Sequence, residues 1–373
     1  MNLIDVLLNP NSIYFWVLII SIIIGAVVII SRPFSTYIKF VYTNAKYEAI
    51  GNPYVSEKNL NGIVESKNLT NFKESLNQSK DYQLTGDKAI EIQDSLEKSF
   101  YLTIEMMKKD SSKKMNDFFN IYLEKNDLYI VKKVIKDKIL DISINEKILE
   151  KVLLDNSKEL IERLISAEFE NLSKILTDFN FPNELIQSIK DKNFLKIDSS
   201  IDRYIISKFK SVKVPYKCEI GKQKFIKILI DVLNIKNVLR GKQLNYEEYF
   251  FKDVYLGEGY EIASWKYKEL YEFESVSQVI TSLEGTSYYN KLKDSIEEYN
   301  KTNSVQIFEN VLDSIFLKLI KDISMQNYVT IGPTIRYITS KEYEIRNLKV
   351  IAKGIEENLS SEIINNQLIK EAL

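Results

Sequence analysis

An uncharged apolar run stands near the start of the chain, before apolar and polar positions begin to alternate. It extends from Ile13 to Ile30, 18 residues without a charge. A helix of this length, rising about 1.5 Å per residue, measures about 27 Å, close to the roughly 30 Å hydrocarbon core of a bilayer. The run therefore predicts a transmembrane helix, and with its flanks it defines an N-terminal anchor over residues 1–32.

The two ends of the run favour a retained anchor over a cleaved signal peptide. Trp16 lies near one end, where amphipathic rings favour the membrane interface, and Gly25 lies inside the span. A signal peptide needs a basic start, a shorter apolar stretch and a small-residue cleavage site. Here only Asp5 precedes the run, and "SRPF" follows it. We therefore expect the segment to remain in the protein.

The charges on either side of the run predict its orientation. Arg32, Lys39 and Lys46 follow it, whereas Asp5 precedes it. Because basic residues next to a span favour the cytoplasmic side, the long C-terminal body is expected in the cytoplasm of a cell-membrane protein.

Beyond residue 33, apolar residues recur at intervals of three and four, which is typical of helices. Glycine and proline, which interrupt helices, number only 11 and 6 in 373 residues. A helix is expected over 32–51, with Pro33 in its first turn. The pattern predicts an all-α body whose longer helices cover 87–107, 121–140, 222–242, 303–323 and 333–354.

Three of these predicted helices carry one repeated pattern. The segments "DLYIVKKVIKDK", "DVLNIKNVLRGK" and "EIRNLKVIAKG" begin at Asp127, Asp231 and Glu344 and align column by column. The first column is acidic, the sixth and tenth are basic, and the columns between them are largely apolar. The basic positions are Lys132, Lys136, Lys236, Arg240, Lys349 and Lys353; the remaining positions marked in the repeat are Asn234, Arg346 and Asn347.

The spacing of the repeat predicts the domain organisation. The three copies lie 104 and 113 residues apart. A period of this length suggests three similar structural units, because internal repeats correspond to repeated architecture. We expect helical repeats over 33–140, 141–245 and 246–373.

The repeated helix places its acid among its apolar positions and its basic residues on the opposite flank. The basic flank is expected to face solvent. Asp127 and Asp231 could cap the N-termini of their own helices. Glu344 should lie inside its helix, where a buried carboxylate needs a partner, and Arg336 and Arg346 are the candidates. Structural pairing is therefore expected for these acids rather than catalysis.

Composition removes several classes of function. The 51 basic and 52 acidic residues give a net charge of −1, without the basic excess expected of a nucleic-acid-binding protein. There is no histidine, the usual proton-transfer residue and the commonest metal ligand. A single cysteine, Cys218, forms neither an internal disulfide nor a zinc site.

No motif in the sequence indicates a reaction. A phosphate-binding loop needs glycines and a lysine around the anion, whereas "GEGYE" at 257–261 offers a glutamate and is interpreted as a turn. Paired acids are common in a chain this rich in them and carry no specific signal. We expect no catalytic centre, no metal, no cofactor and no nucleotide site.

The C-terminal copy carries a family resemblance. "IGPTIRYITSKEYEIRNLKVIAKG" (331–354) resembles the C-terminal signature of the C subunit of archaeal A-type ATP synthases, a family that includes the d subunit of vacuolar ATPases. The middle copy and "YTNAK" (42–46) resemble the family's middle and opening signatures. Two positions depart from the pattern: Lys46 replaces a usual arginine, and Ile130 stands where the middle copy has Asn234.

This resemblance implies a fold and a role. It implies three similar helical bundles arranged as a funnel, which would stand on the proteolipid rotor ring and hold the central-stalk subunits of the D and F type. The chain would transmit torque during ion-coupled ATP synthesis and perform no chemistry itself. The N-terminal anchor, which contacts membrane lipid, lies outside the commonest family pattern. The alternative is a membrane-tethered helical scaffold or adaptor unrelated to the ATP synthase.

Overall fold

The computed structural model describes residues 9–79 and 81–371, except for the side chains at positions 32, 33, 35 and 36. This part of the chain forms only α-helices and short 3₁₀ turns, which confirms the all-α prediction. Asp5 and the Arg32 side chain, on which the predicted orientation partly rests, lie outside the described residues. The α-helices are α1 (Ile13–Ile50), α2 (Glu57–Val64), α3 (Leu69–Asn77), α4 (Ala89–Asp110), α5 (Asn116–Ile139), α6 (Asp155–Ser166), α7 (Leu172–Asp178), α8 (Asn183–Lys190), α9 (Phe194–Ser211), α10 (Glu219–Gln243), α11 (Glu248–Asp253), α12 (Ser264–Glu272), α13 (Val276–Ser282), α14 (Tyr289–Asp294), α15 (Ile296–Thr302), α16 (Gln306–Gln326), α17 (Gly332–Glu356) and α18 (Ser361–Asn366).

The apolar run and the segment after it form one helix, α1, of 38 residues. The expectation that a second helix starts at residue 32 is wrong, since the backbone remains helical through that position. The segment Ile13–Ser31 is long and apolar enough to cross a membrane, with a mean hydropathy of 3.0 and none of it buried. Its predicted markers are exposed: Ile13, Trp16 and Ile30 retain 73%, 54% and 66% of their accessible surface, and no atom approaches within 4 Å of where a Gly25 β-carbon would be.

Six long helices form the centre of the body. Each packs against the next in the order α4, α5, α9, α10, α16 and α17, and α17 packs back against α4. The cycle is therefore closed. A single cluster of buried apolar side chains runs through all six helices, so they share one core.

The six helices are three consecutive hairpins. Connections at 111–115, 212–218 and 327–331 join α4 to α5, α9 to α10 and α16 to α17. Connections this short place consecutive helices antiparallel. Each copy of the repeated segment lies on the second helix of a hairpin, namely α5, α10 or α17.

The hairpin turns gather at the end of the body where α1 attaches. Lys46 of α1 pairs with Asp110, at the end of α4, at 2.6 Å. The Asn44 amide donates to the carbonyl oxygen of Tyr328, in the third turn, at 2.6 Å. A β-carbon at Gly221, at the start of α10, would lie 2.9 Å from the Ile331 side chain, so the residues that follow the second turn touch the third turn. The apolar helix therefore leaves the body from its hairpin-turn end.

The N-terminal segment packs against the last long helix. Helix α17, from the predicted third unit, contacts α1, α3 and α4 of the predicted first unit. The boundaries at 33–140, 141–245 and 246–373, and the arrangement of three bundles as a funnel, stay predictions.

Candidate functional site

The repeated acids lie fully buried within the long helices. Asp127, Asp231 and Glu344 have no exposed surface. None of them caps its own helix, so the capping hypothesis is wrong for Asp127 and Asp231. Each lies in mid-helix and accepts hydrogen bonds from a different segment, because a buried carboxylate is stable only when donors surround it.

Asp231 is surrounded by four donors. The backbone N–H groups of Tyr260, Glu261 and Ile262 donate to it at 2.9, 2.8 and 3.0 Å. The Tyr288 hydroxyl donates at 3.0 Å. Burial raises the pKa of Asp231, while these donors lower it. The loop before α12 is thus anchored on α10 by one carboxylate.

Gly259 explains why this loop contains "GEGYE". A β-carbon at position 259 would lie 1.7 Å from the Asp231 carboxylate oxygen. The missing side chain lets three successive backbone N–H groups face the anion, as in other anion-binding backbone nests. The interpretation as a simple turn missed this, since the anion bound is the chain's own Asp231 and not a ligand.

We expect Gly259→Ala to destabilise the full chain by about 1–3 kcal/mol, the usual range for overpacking. The loop has to move away from Asp231 and lose part of its hydrogen bonding. Urea unfolding of the detergent-solubilised protein measures the change. Gly62→Ala is the matched control, since no atom lies within 4 Å of its β-carbon position and alanine favours the helix. Equal midpoints for the two variants would contradict the role given to Gly259.

Asp127 holds the start of a helix that follows its own. It accepts the backbone N–H groups of Leu153 at 2.9 Å and Leu154 at 3.0 Å. Leu154 is the residue immediately before α6, so the carboxylate faces the positive end of that helix. Burial raises the pKa of Asp127 to about 6 although these two donors lower it.

The cation that pairs with Glu344 is not one of the two that were expected. Lys341 lies 2.7 Å from it, one turn earlier on α17, and is itself buried. The Tyr82 hydroxyl and the Tyr54 backbone N–H, the latter at 2.9 Å, also donate to it. The expected partners pair elsewhere: Arg336 with Glu371 and Arg346 with Asp313. Glu344 thus joins α17 to the segment after α1.

Two asparagines of the repeat each bind a backbone N–H group and a backbone carbonyl group of a segment that follows later in the chain. Asn234 accepts from the Leu256 N–H at 3.0 Å and donates to the Gly257 carbonyl at 3.0 Å. Asn347 accepts from the Ile369 N–H at 2.8 Å and donates to the carbonyl of the same residue at 2.7 Å. Ile130 occupies the same column in the first copy, so this contact is absent there.

The first basic column joins neighbouring hairpins. Lys132 of the first hairpin pairs with Asp198 on α9 at 3.3 Å. Lys236 of the second pairs with Asp313 on α16 at 2.6 Å, and Lys349 of the third pairs with Glu97 on α4 at 2.5 Å. Each repeated helix therefore reaches the first helix of the next hairpin, and the last pair closes the cycle.

The second basic column follows this pattern in two of three copies. Lys136 pairs with Asp198 at 2.7 Å. Arg240 donates twice to Glu309 of α16, at 2.6 and 2.5 Å. Lys353 instead pairs with acids of its own region, Glu356 and Glu357. The expectation that the basic flank faces solvent therefore holds for Lys353 but is wrong for the other basic positions of the repeat.

A cavity of about 480 Å³ lies inside the cycle and is lined by all six long helices. Apolar and aromatic side chains such as Leu233 and Tyr129 alternate there with charged groups. Lys125 of α5 reaches Glu342 of α17 at 2.6 Å and ties the first hairpin to the third. The charged side chains of the lining are Lys125, Lys132, Lys236, Arg240, Arg346, Lys349, Glu97, Asp198, Asp202, Asp313 and Glu342.

Asp313 is the most heavily bonded of these charges. Its carboxylate accepts hydrogen bonds from the Lys236 ammonium group at 2.6 Å, the Tyr343 hydroxyl at 2.7 Å and the Arg346 guanidinium at 2.9 Å. Burial by itself would raise the pKa of Asp313, but the nearby Lys236 and Arg346 outweigh it and the pKa is lowered. Sequence reasoning missed Asp313, Asp198 and Glu97, because they lie outside the repeated segment.

Among residues 9–79 and 81–371, no group of acids and cysteine is placed to hold a metal ion. Cys218 is buried, and burial raises the pKa of its thiol to about 12. Of the charged side chains of the lining, all except Asp202 form ion pairs.

Comparison with known proteins gives the family. Residues 43–367 match the family described as ATP synthase (C/AC39) subunit. The chain belongs to that family. It is therefore a non-catalytic subunit of a rotary ATP synthase, which takes part in ATP synthesis with other subunits of a membrane-associated complex. An adaptor unrelated to the ATP synthase is excluded.

Several curated relatives are A-type ATP synthase C subunits. The protein of Methanocaldococcus jannaschii is 30% identical, and the match covers 97% of this chain and 94% of the relative. That of Methanobrevibacter smithii is 29% identical, with 90% of each chain covered. The Pyrococcus abyssi protein is 25% identical over 89% of this chain and 90% of its own.

Proposed function

We propose that the chain is the central-stalk subunit that joins the membrane rotor ring of an A-type ATP synthase to the rotating shaft. Its partners are the D- and F-type stalk subunits on one side and the proteolipid ring on the other. It transmits torque between ion transport and ATP synthesis, and this role requires neither nucleotide nor cofactor.

The observation that carries this proposal is the cavity inside the closed cycle of six helices. A shaft held by this subunit needs a seat enclosed by the body, and the cavity is the place where all three hairpins contribute side chains. Aromatic side chains such as Tyr129 and apolar ones such as Leu233 stand in the lining, and aromatic residues are enriched at protein–protein contacts.

The ion pairs between hairpins favour transmission of torque. A body that passes torque must resist shear between its parts. Lys132, Lys236 and Lys349 each connect one hairpin to the next, and Lys125 adds a further connection between the first and third hairpins. Closed cycles of such contacts leave no free edge at which a hairpin can slide.

The apolar part of α1 supports a single-pass anchor. It leaves the body at the hairpin-turn end, so this end faces the membrane and, by the charge distribution described above, the body is cytoplasmic. The match with the Methanocaldococcus jannaschii relative covers 97% of this chain. The part outside the match is therefore too short to contain the whole apolar segment.

A rotor crosslink tests the proposed role. Tyr129 lines the cavity and is 39% exposed, so Tyr129→Cys can be joined to the stalk by a short bifunctional reagent in the assembled complex. We expect a covalent product with a D- or F-type subunit and unchanged ATP turnover, because two rotor subunits turn together. The buried Cys218 does not compete.

A cysteine at Ile142, exposed and outside the cavity lining, is the matched control and should give no stalk product. A product between Tyr129→Cys and a stationary subunit, with turnover blocked, would show that the chain belongs to the stator. Stalk products formed equally from both positions would show that the cavity is not the seat.

A further inference from the structure

One charged side chain of the central cavity has no ionic partner. Asp202 of α9 lines the cavity and is half-buried. Among the residues that the structure describes, none forms an ion pair or a hydrogen bond with its carboxylate. Lys132 and Lys136 of α5 both pair with Asp198 instead, one turn earlier on α9. Asp202 is therefore left as an unpaired acid at the wall of the cavity.

The folded chain is less stable for keeping this acid charged. Burial raises the pKa of Asp202, and the nearby Lys132 offsets only part of that effect. An acid whose pKa is higher in the folded protein than in the unfolded chain destabilises the fold at neutral pH. Acids in such surroundings normally have a partner. Asp202 therefore suits a cation that the chain itself does not supply.

The lining of the cavity is apolar toward the hairpin turns and charged toward the other end. On five of the six helices the lining residue nearest the turns is apolar or aromatic, namely Phe100, Tyr122, Ile206, Leu229 and Phe316. The same five helices place a charged residue farthest from the turns, namely Glu97, Lys132, Asp198, Arg240 and Asp313. Because α1 leaves the body at the hairpin-turn end, a shaft on the side opposite the membrane reaches the cavity from the charged end. Such a shaft passes Asp202 before its tip meets the apolar residues.

Asp202 also distinguishes one hairpin from the other two. The pairs made by the first basic column place three acids at corresponding positions, namely Asp198, Asp313 and Glu97. Four residues later the three hairpins carry Asp202, Leu317 and Tyr101. Only the second hairpin has an acid there. A guest held by apolar contacts alone has no preferred rotation among three similar hairpins, whereas a charge pair on one side fixes its register.

We propose that Asp202 binds a lysine or arginine side chain of the shaft and so fixes the rotational position of the shaft in its seat. The inference rests on the proposed function for the presence of the shaft in the cavity. It adds the chemistry of the partner, a basic side chain that enters from the end opposite the hairpin turns. A pair on one side of the seat also resists slipping of the shaft when torque passes through it.

Binding of the stalk subunits tests this contact. The detergent-solubilised full chain is titrated with the purified D- and F-type stalk subunits of the same ATP synthase. Asp202→Asn should weaken binding about thirtyfold or more, because the basic side chain of the shaft is then buried without its partner. Asp202→Lys should weaken it further, since two like charges then face each other. Asp178→Asn is the matched control and should bind as the parent does, because Asp178 is exposed on α7, outside the lining.

A stability measurement separates this role from a structural one. In the isolated full chain, Asp202→Asn should leave the urea midpoint unchanged or raise it, because the variant removes a charge that has no partner. An acid that held the fold together would give a lower midpoint instead.

Unchanged binding by Asp202→Asn would overturn the proposal. Tighter binding by Asp202→Lys would overturn it too, because the shaft would then present an acid. Weaker binding together with a lower urea midpoint would assign Asp202 to the fold and not to the contact. If the unmodified chain does not bind the stalk subunits, the proposed function fails and this inference fails with it, an outcome that is distinct because it does not depend on residue 202.

Discussion

Replacing Glu344 by alanine is expected to destabilise the fold by about 3–5 kcal/mol, the range for removing one partner of a buried ion pair. The variant leaves Lys341 without a counter-charge in a site where only 2% of its side chain is exposed. The Tyr82 hydroxyl and the Tyr54 backbone N–H lose their acceptor as well. Because the last two donors belong to the segment after α1, its contact with α17 should loosen first.

Urea unfolding of the full chain in detergent measures this loss, and hydrogen exchange at residues 53–84 locates it. Glu362→Ala is the matched control, since this glutamate is exposed on α18, and we expect a change within about 0.5 kcal/mol. Lys341→Met combined with Glu344→Leu should recover most of the stability, because it removes both charges. An unchanged midpoint for Glu344→Ala would show that the acid is not structural.

The positions of the repeated acids could be predicted from the sequence, whereas most of their partners could not. Column alignment placed Asp127, Asp231 and Glu344 on the apolar faces of three helices, and all three are buried. The donors to Glu344 include Tyr54 and Tyr82, which precede it by 290 and 262 residues. Nothing in helical periodicity relates positions so far apart.

Lys341 is a different case. It lies three residues before Glu344, at a spacing that brings side chains together on one helix face. The search for a partner favoured arginine, but "KEYE" already contained the pair. A rule that tests the neighbours at three and four residues before more distant cations would have found it.

The basic columns show that an amphipathic pattern does not predict every surface that a helix contacts. An amphipathic pattern predicts one buried face and one solvated face. In a closed cycle each helix has a neighbour on both flanks and the cavity in front, so Lys132 and Lys236 meet acids of α9 and α16. The closure itself depends on contacts between α17 and α4, which no local pattern encodes.

The second large effect is expected at Asp313, where two hairpins meet at the cavity. Its side chain is 3% exposed and faces Lys236, of which 10% is exposed, across 2.6 Å. Arg346, at 2.9 Å, is 46% exposed and can turn to water when its partner is lost. Lys236 has no such freedom. The cost of removing Asp313 therefore falls mainly on this lysine.

Asp313→Ala should accordingly destabilise the chain by about 3–5 kcal/mol in urea unfolding near pH 7. The double variant Lys236→Met with Asp313→Leu should recover most of that loss, whereas Lys236→Met alone should not match the parent. Glu248→Ala is the control, because Glu248 and its partner Lys252 are 59% and 61% exposed and such surface pairs contribute about 0–1 kcal/mol.

The pH dependence of a second variant, Asp313→Asn, separates charge from packing. The pKa of Asp313 is lowered in the folded protein, so the folded state binds its proton less tightly than the unfolded state does. Its stabilising contribution is present above the unfolded value of about 3.9 and is lost as pH falls through the folded pKa. The difference between the parent and Asp313→Asn should therefore shrink steadily as the pH is lowered below about 4. A difference that stays constant across this range would show that Asp313 acts by packing, and that the ion pair between the second and third hairpins does not hold the cycle closed.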